Sequence, residues 1–112
     1  MLPKRRRLTT PEVAQVLRAG RSRRGTYLSM KFVSTTHPLK TSAVVSKSVA
    51  RKAVERNRLR RAVYRALDSV LYQQAGFSGH GHAVLFVQKI PPQELSKAFN
   101  SEVAVLFKNA ML

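Results

Sequence analysis

The sequence predicts an α+β fold, a small sandwich in which helices pack on one sheet. Three observations predict it. Apolar residues recur at helical spacing in three segments, and alternating or short apolar runs mark three strands. An apolar share of 44% over 112 residues suits a single packed domain, residues 1–112.

The elements follow in order. Thr9 and Glu12 have capping-box spacing, Pro11 falls in the first turn and Gly20 can close the end, so a short helix is expected between them. Val13, Val16 and Leu17 supply its apolar stripe. Arg21 to Gly25 reads as a basic, turn-like linker. In Tyr27 to Val33, Leu28, Met30 and Phe32 alternate with Tyr27, Ser29 and Lys31, the signature of a half-buried strand. Thr35-Thr36-His37-Pro38 reads as a loop and Thr41 to Ser46 as a second strand, the two strands making an antiparallel hairpin. A long helix is expected from Lys52 to Gln74, ending at Gly76. The loop Gly76 to His82 leads into a buried strand, Ala83 to Val87. Pro91-Pro92 stops it, and Leu95, Ala98, Phe99, Val103, Leu106 and Phe107 define a last helix. The order is α-β-β-α-β-α.

Charge narrows the function. There are 21 Lys and Arg against five Asp and Glu, a formal net charge of +16. Sixteen of those cations lie in two stretches, Lys4 to Arg24 and Lys47 to Arg65, a clustering expected of a phosphate-binding footprint. A polyanion would relieve the self-repulsion. No cysteine is present, which excludes disulfides and thiolate metal sites. No apolar run approaches membrane-spanning length, and no hydrophobic segment follows the basic cluster Lys4, Arg5, Arg6, Arg7 as in a secretory signal. A cytoplasmic protein with no membrane partner is expected, and no protein partner is evident.

The segment from Val44 to Arg65 is the most informative. On a helical wheel Leu59, Val63, Ala66, Leu67 and Val70 share one arc. Asn57, Arg58, Arg61 and Arg65 gather opposite, with Arg56 and Arg60 at the border. Val54 and Glu55 break the stripe, so packing should begin near Leu59. Arginine suits RNA because its planar fork grips a phosphate through two hydrogen bonds and stacks on bases. Six Arg face one Glu here, so mutual salt bridges cannot satisfy them. Lys47, Arg51, Lys52, Arg56, Asn57, Arg58, Arg60, Arg61 and Arg65 are the candidate RNA-binding residues, joined by Lys4, Arg5, Arg6 and Arg7.

Ser46-Lys47, Ala53-Val54 and Arg56-Asn57-Arg58-Leu59-Arg60-Arg61 resemble the RNR signature of the bacterial ribonuclease P protein family. Leu2-Pro3-Lys4, Arg7-Leu8 and Gly20-Arg21-Ser22 resemble the family's opening. The resemblance implies helices on a mixed sheet, with a left-handed crossover through the long helix. It implies a subunit that binds a catalytic RNA, ribonuclease P RNA, and assists removal of the 5′ leader from precursor tRNA. Mg²⁺ would be held mainly by the RNA. A cleft between the first helix and the sheet would take the single-stranded leader, and by position Val13, Leu17, Met30 and Phe32 would line it. The chain departs from the family pattern at Val13 and Leu17, where Phe is usual, and at Ala43, Ala50, His82 and Gln88.

A protein nuclease would need clustered carboxylates around a metal. Glu12, Glu55, Asp68, Glu94 and Glu102 are scattered, and no catalytic residue or metal ligand is assigned to the chain. His80 and His82 would share a side if extended, the basis of a competing reading as a free-standing ribonuclease. A structural RNA-binding protein of ribosomal type is the principal alternative. A DNA-binding role lacks any helix-turn-helix pattern.

Overall fold

The computed structural model describes residues 4–73, 79–92 and 94–111. A 3-10 turn, Lys4–Arg6, leads into helix α1 (Thr10–Ala19). Strands β1 (Arg21–Arg24), β2 (Leu28–Pro38) and β3 (Lys40–Val44) come next. Helix α2 (Ala53–Leu67) continues as a π-helical turn, Asp68–Tyr72. Strand β4 (His80–Val87) and helix α3 (Leu95–Met111) complete the described elements.

Helix α1 forms as its sequence dictates. The Thr9 side chain accepts the Glu12 N–H at 3.4 Å, and the Glu12 carboxylate accepts the Thr9 N–H at 2.7 Å. This capping box satisfies two donors that a helix start would otherwise strand. The Gly20 N–H closes the other end on the Val16 carbonyl.

Four expectations change. Arg21 to Arg24 is not a turn but an edge strand, antiparallel to β2. Its ladder is backbone-made and its side chains are mostly exposed, so no apolar alternation announces it. Strand β2 runs on to Pro38 through the expected loop, with a register shift between Val33 and Pro38. β2 and β3 do not pair as a hairpin. The sheet order is β1-β2-β4-β3, so β4 lies between them, antiparallel to β2 and parallel to β3. Alternation tells which residues share a face, not which strand is the neighbour. Finally, His80 to His82 belong to β4 rather than to a loop. The expected helix end, Gln74 to Gly76, lies outside the described residues.

The sheet separates two unequal layers. Leu28 and Met30 of β2 and Ala83, Leu85 and Val87 of β4 pack with Leu59, Val63 and Leu67 of α2 and Phe99, Val103 and Phe107 of α3. Val49, Phe32 and Tyr72 pack against its margin. On the other face α1 covers parts of β2 and β4, and Val16 and Val84 are fully buried there. Gly81 has φ 132°, and a Cβ there would meet the Phe32 ring at 2.6 Å, so only glycine fits.

Two polar ties fix the layers. The Tyr64 hydroxyl accepts the Ala43 N–H at 3.1 Å, joining α2 to the sheet edge. The Glu102 carboxylate of α3 accepts the Tyr27 N–H at 2.7 Å and the Leu28 N–H at 3.1 Å. Gly25 leaves the space this carboxylate occupies.

Candidate nucleic-acid interface

Helix α2 carries two faces, and burial separates them as the wheel does. Leu59, Val63, Ala66 and Leu67 are buried, while Asn57, Arg58, Arg61 and Arg65 are exposed and Arg56 and Arg60 lie between. Val54 is 80% exposed, so packing begins only toward Leu59.

The arginines have different duties. Arg56 donates to the carbonyls of Ala50 (3.1 Å) and Arg51 (2.7 Å), holding the turn that precedes the helix. Arg58 pairs with Glu55 at 2.7 Å. Each holds the other in its charged form: the Glu55 carboxyl is lowered and the Arg58 guanidinium raised by their hydrogen bond. Arg60 donates to the Asn57 side-chain oxygen at 2.6 Å. Lys47, Arg51, Lys52, Arg61 and Arg65 are exposed and make no side-chain hydrogen bond or ion pair among the described residues. These five are the cations that α2 and the turn before it leave available to a partner.

The N-terminal cluster divides likewise. Arg6 lies 4.5 Å over the Tyr72 ring and 3.9 Å from the Asp68 carboxylate, so it seats the N-terminal turn on the end of α2. Arg7 bridges to Thr41 beside β3, and the Leu8 N–H donates to the Thr41 carbonyl. Arg5 is exposed. The Lys4 side chain lies outside the described residues.

The face under α1 is where the expected cleft changes most. Met30 and Phe32 point away from α1, into the α2/α3 layer. Their neighbours Ser29, Lys31 and Val33 point to α1, because successive side chains alternate across a strand. Lys31 confirms the side by donating to the Leu17 carbonyl at 3.0 Å. Val13 is half-buried and Leu17 is 42% exposed along the margin of α1. The register aligns Arg24 with Ser29, Ser29 with Phe86, and Phe86 with Val44, one row across this face. Phe86 is half-buried there and Val44 is 36% exposed. Gln88 donates to the Ser29 hydroxyl at 2.8 Å at the end of the row. The parity of β2 was readable in the sequence, but it does not say which face receives the thicker layer.

A partly buried polar cluster sits beneath α1. Lys40 donates to both oxygens of Glu12 at 2.8 and 3.0 Å. With the Thr9 N–H, that bond holds the Glu12 carboxyl down at about 2. The His82 Nε2 lies 3.7 Å from Glu12 and has no hydrogen-bond partner among the described residues. Burial lowers the His82 pKa, against the pull of Glu12 and with the push of Lys40 and His37. The His37 ring stacks on it at 6.5 Å. His80 and His82 share a strand face, yet His82 is buried and His80 exposed, which removes the paired, accessible arrangement a histidine nuclease needs. Among the described residues no three His, Asp or Glu side chains converge to hold a metal. No helix among them is long and apolar enough to cross a membrane.

Fold and surface thus define a small α+β protein with a cationic helix on one side of its sheet and a partly open sheet face on the other. The family model of Ribonuclease P matches residues 2–110. The ribonuclease P protein component of Pseudanabaena sp. (strain PCC 6903) is 46% identical over 77 residues, covering 63% of this chain and 66% of that protein, just under two thirds of its length. The Staphylococcus aureus RNase P protein superposes with a TM-score of 0.73 at 13% identity, covering 94% of each chain. The Thermotoga maritima RNase P protein does so at 0.63 and 19%, again covering 94% of each. At these identities the two structures establish the fold. The chain belongs to the ribonuclease P protein family. The ribosomal-type alternative finds no support.

Proposed function

We propose that this chain docks on ribonuclease P RNA through the cationic face of α2 and holds the 5′ leader of precursor tRNA against the α1 side of the sheet. The observation that carries the reading is the division of α2. Its apolar arc is buried, while Arg61, Arg65 and the preceding Lys47, Arg51 and Lys52 lack any anionic partner among the described residues. Such a face suits a phosphate backbone, because each neutralised phosphate releases condensed counterions. The half-apolar sheet face on the opposite side, with Phe86 and Val44, suits unstacked bases of a single strand.

The chain's role is binding and positioning. Four of its five acids are committed to internal contacts: Glu12 to Lys40, Glu55 to Arg58, Asp68 to Arg6 and Glu102 to backbone donors. Among the described residues no three His, Asp or Glu side chains converge; Mg²⁺ held mainly by the RNA partner would supply the hydrolytic chemistry. The complex works where that RNA is, in the cytoplasm.

Mixing the protein with a bacterial ribonuclease P RNA and precursor tRNA at low Mg²⁺ tests the reading. Restored 5′ processing is expected. Failure to bind that RNA would remove it.

A further inference from the structure

We propose that the edge strand β1 is a second, cationic rim for the single-stranded leader, engaged by nucleotides that extend past the sheet face under α1. The proposal rests on the leader-binding reading above. Strand β1 is Arg21-Ser22-Arg23-Arg24, at the opposite edge of the sheet from β3 and the turn that opens α2. Among the described residues only β2 pairs with it, so its outer backbone edge carries no further strand there. Arg21 and Arg24 are exposed and have no acidic partner among the described residues. Among the described residues the Arg23 guanidinium meets only the Ser22 carbonyl, at 3.2 Å.

The register gives this strand a direction. Ser22 and Arg24 lie on the face under α1, while Arg21 and Arg23, paired with Phe32 and Met30, project to the other side. A single strand that wraps over the edge therefore meets all three arginines. Arg24 ends the row that continues through Ser29 and Phe86 to Val44 on the face α1 leaves partly open. Four strands span three spacings, roughly 14 Å at about 4.8 Å each. Ser22 stands beside Lys31, the next cation on the same face. An aromatic side chain such as Phe86 with cations at the edge beyond it is how proteins track a single strand without reading its sequence: bases stack and phosphates pair. The strand is also held in place. Glu102 grips the N–H groups of Tyr27 and Leu28, and the Gly25 N–H donates to the Leu28 carbonyl at 2.7 Å, so the β1–β2 turn is fixed before RNA arrives. The competing account is that the charges only guard an open edge against self-pairing.

The two accounts differ in one measurable respect. Affinity of the holoenzyme is measured for precursor tRNAs whose leaders lengthen one nucleotide at a time, with the wild-type chain and with a variant carrying Arg21→Gln, Arg23→Gln and Arg24→Gln. Wild-type affinity should climb with leader length to a plateau. The variant should plateau earlier, its shortfall growing with length. Its log–log salt slope on the longest leader should fall by about 0.7 for each phosphate that goes unpaired. Arg24→Lys, which keeps the charge, should restore most of the long-leader increment when placed in the variant. Superimposable curves, with a length-dependent wild type, would overturn the β1 proposal alone. Self-association of the variant with an unchanged length profile would do the same, in favour of edge protection. A wild type indifferent to leader length would overturn the leader reading and this proposal with it. Thermal unfolding of both proteins establishes that the variant is folded.

Discussion

Arginines that look alike in the sequence carry different loads. Arg61 and Arg65 are exposed and unpaired among the described residues, so their removal should change stability by no more than about 0.5 kcal/mol. RNA affinity should fall, and the salt slope should drop by about 0.7 to 0.9 for each phosphate left without its cation. Arg56→Ala should behave differently. It strands the carbonyls of Ala50 and Arg51, and the charged hydrogen bonds it removes are worth about 1.5–3 kcal/mol each at most. Thermal unfolding beside RNA titrations at several salt concentrations separates the two kinds, and equal unfolding losses would merge them. Glu12 offers a pH test. Its folded pKa, about 2, lies below its ordinary 4.5, so the unfolded chain takes up the proton first. The stability Glu12 contributes is therefore complete above pH 4.5 and drains away as pH falls toward 2. Glu12→Gln keeps the N3 side chain of the capping box but removes the charge. The variant should be less stable than wild type at neutral pH, with the gap closing below pH 4.5. A gap that stays constant would assign the effect to packing. His82 acts in the same direction higher up: burial lowers its folded pKa below 6.5, so acid below that value favours the unfolded chain.

At the level of elements, α2 is the decisive case, because its faces should fail separately. Leu59→Ala removes a fully buried side chain and should cost about 2–5 kcal/mol, from lost transfer energy plus the cavity left behind. The fraction that remains folded should bind RNA as wild type does. If Leu59→Ala instead weakened binding without lowering the unfolding temperature, the two faces would be exchanged. What could be read from the sequence follows from what each element depends on. The α1 capping box and both arcs of α2 depend on neighbours a turn apart, so spacing reveals them. The alternation of β2 is equally local, and it sorts Leu28, Met30 and Phe32 from Ser29 and Lys31. Which set meets α1 depends on the other layers, and there Met30 and Phe32 prove to lie on the core side. Strand β1 is invisible to hydropathy because RSRR has no apolar member to alternate. The Glu102 clamp joins residues 75 apart, a distance no local pattern spans.

Across the whole molecule, few acids serve many cations. Four of the five Asp and Glu each hold a specific internal contact with a cation or a backbone donor, which leaves most of the +16 charge for something outside the chain. Compactness works against that charge, so a polyanion that binds only the folded form should stabilise it. Adding ribonuclease P RNA should raise the unfolding temperature, and the rise should shrink as salt increases. An unfolding temperature indifferent to RNA would show that the cations do not meet it. Cleavage should likewise belong to the complex. Protein freed of RNA by nuclease treatment should leave precursor tRNA intact, and cleavage at the leader junction by such protein would reassign the chemistry to this chain.

The strand order also bears on how the chain comes to be folded. The central strand, β4, is the last of the four to be synthesised, and both β2 and β3 pair with it rather than with each other. Until residues 80–87 emerge, the only part of the sheet that can exist is the β1–β2 ribbon. The arrival of β4 closes the antiparallel and the parallel ladder together. Pairing across such sequence distances is slow and leaves strand edges open meanwhile. The same positive charge that awaits RNA keeps nascent copies apart through that interval. A chain held on the ribosome short of His80 can pair no described strands beyond that one hairpin, and the sheet waits for β4.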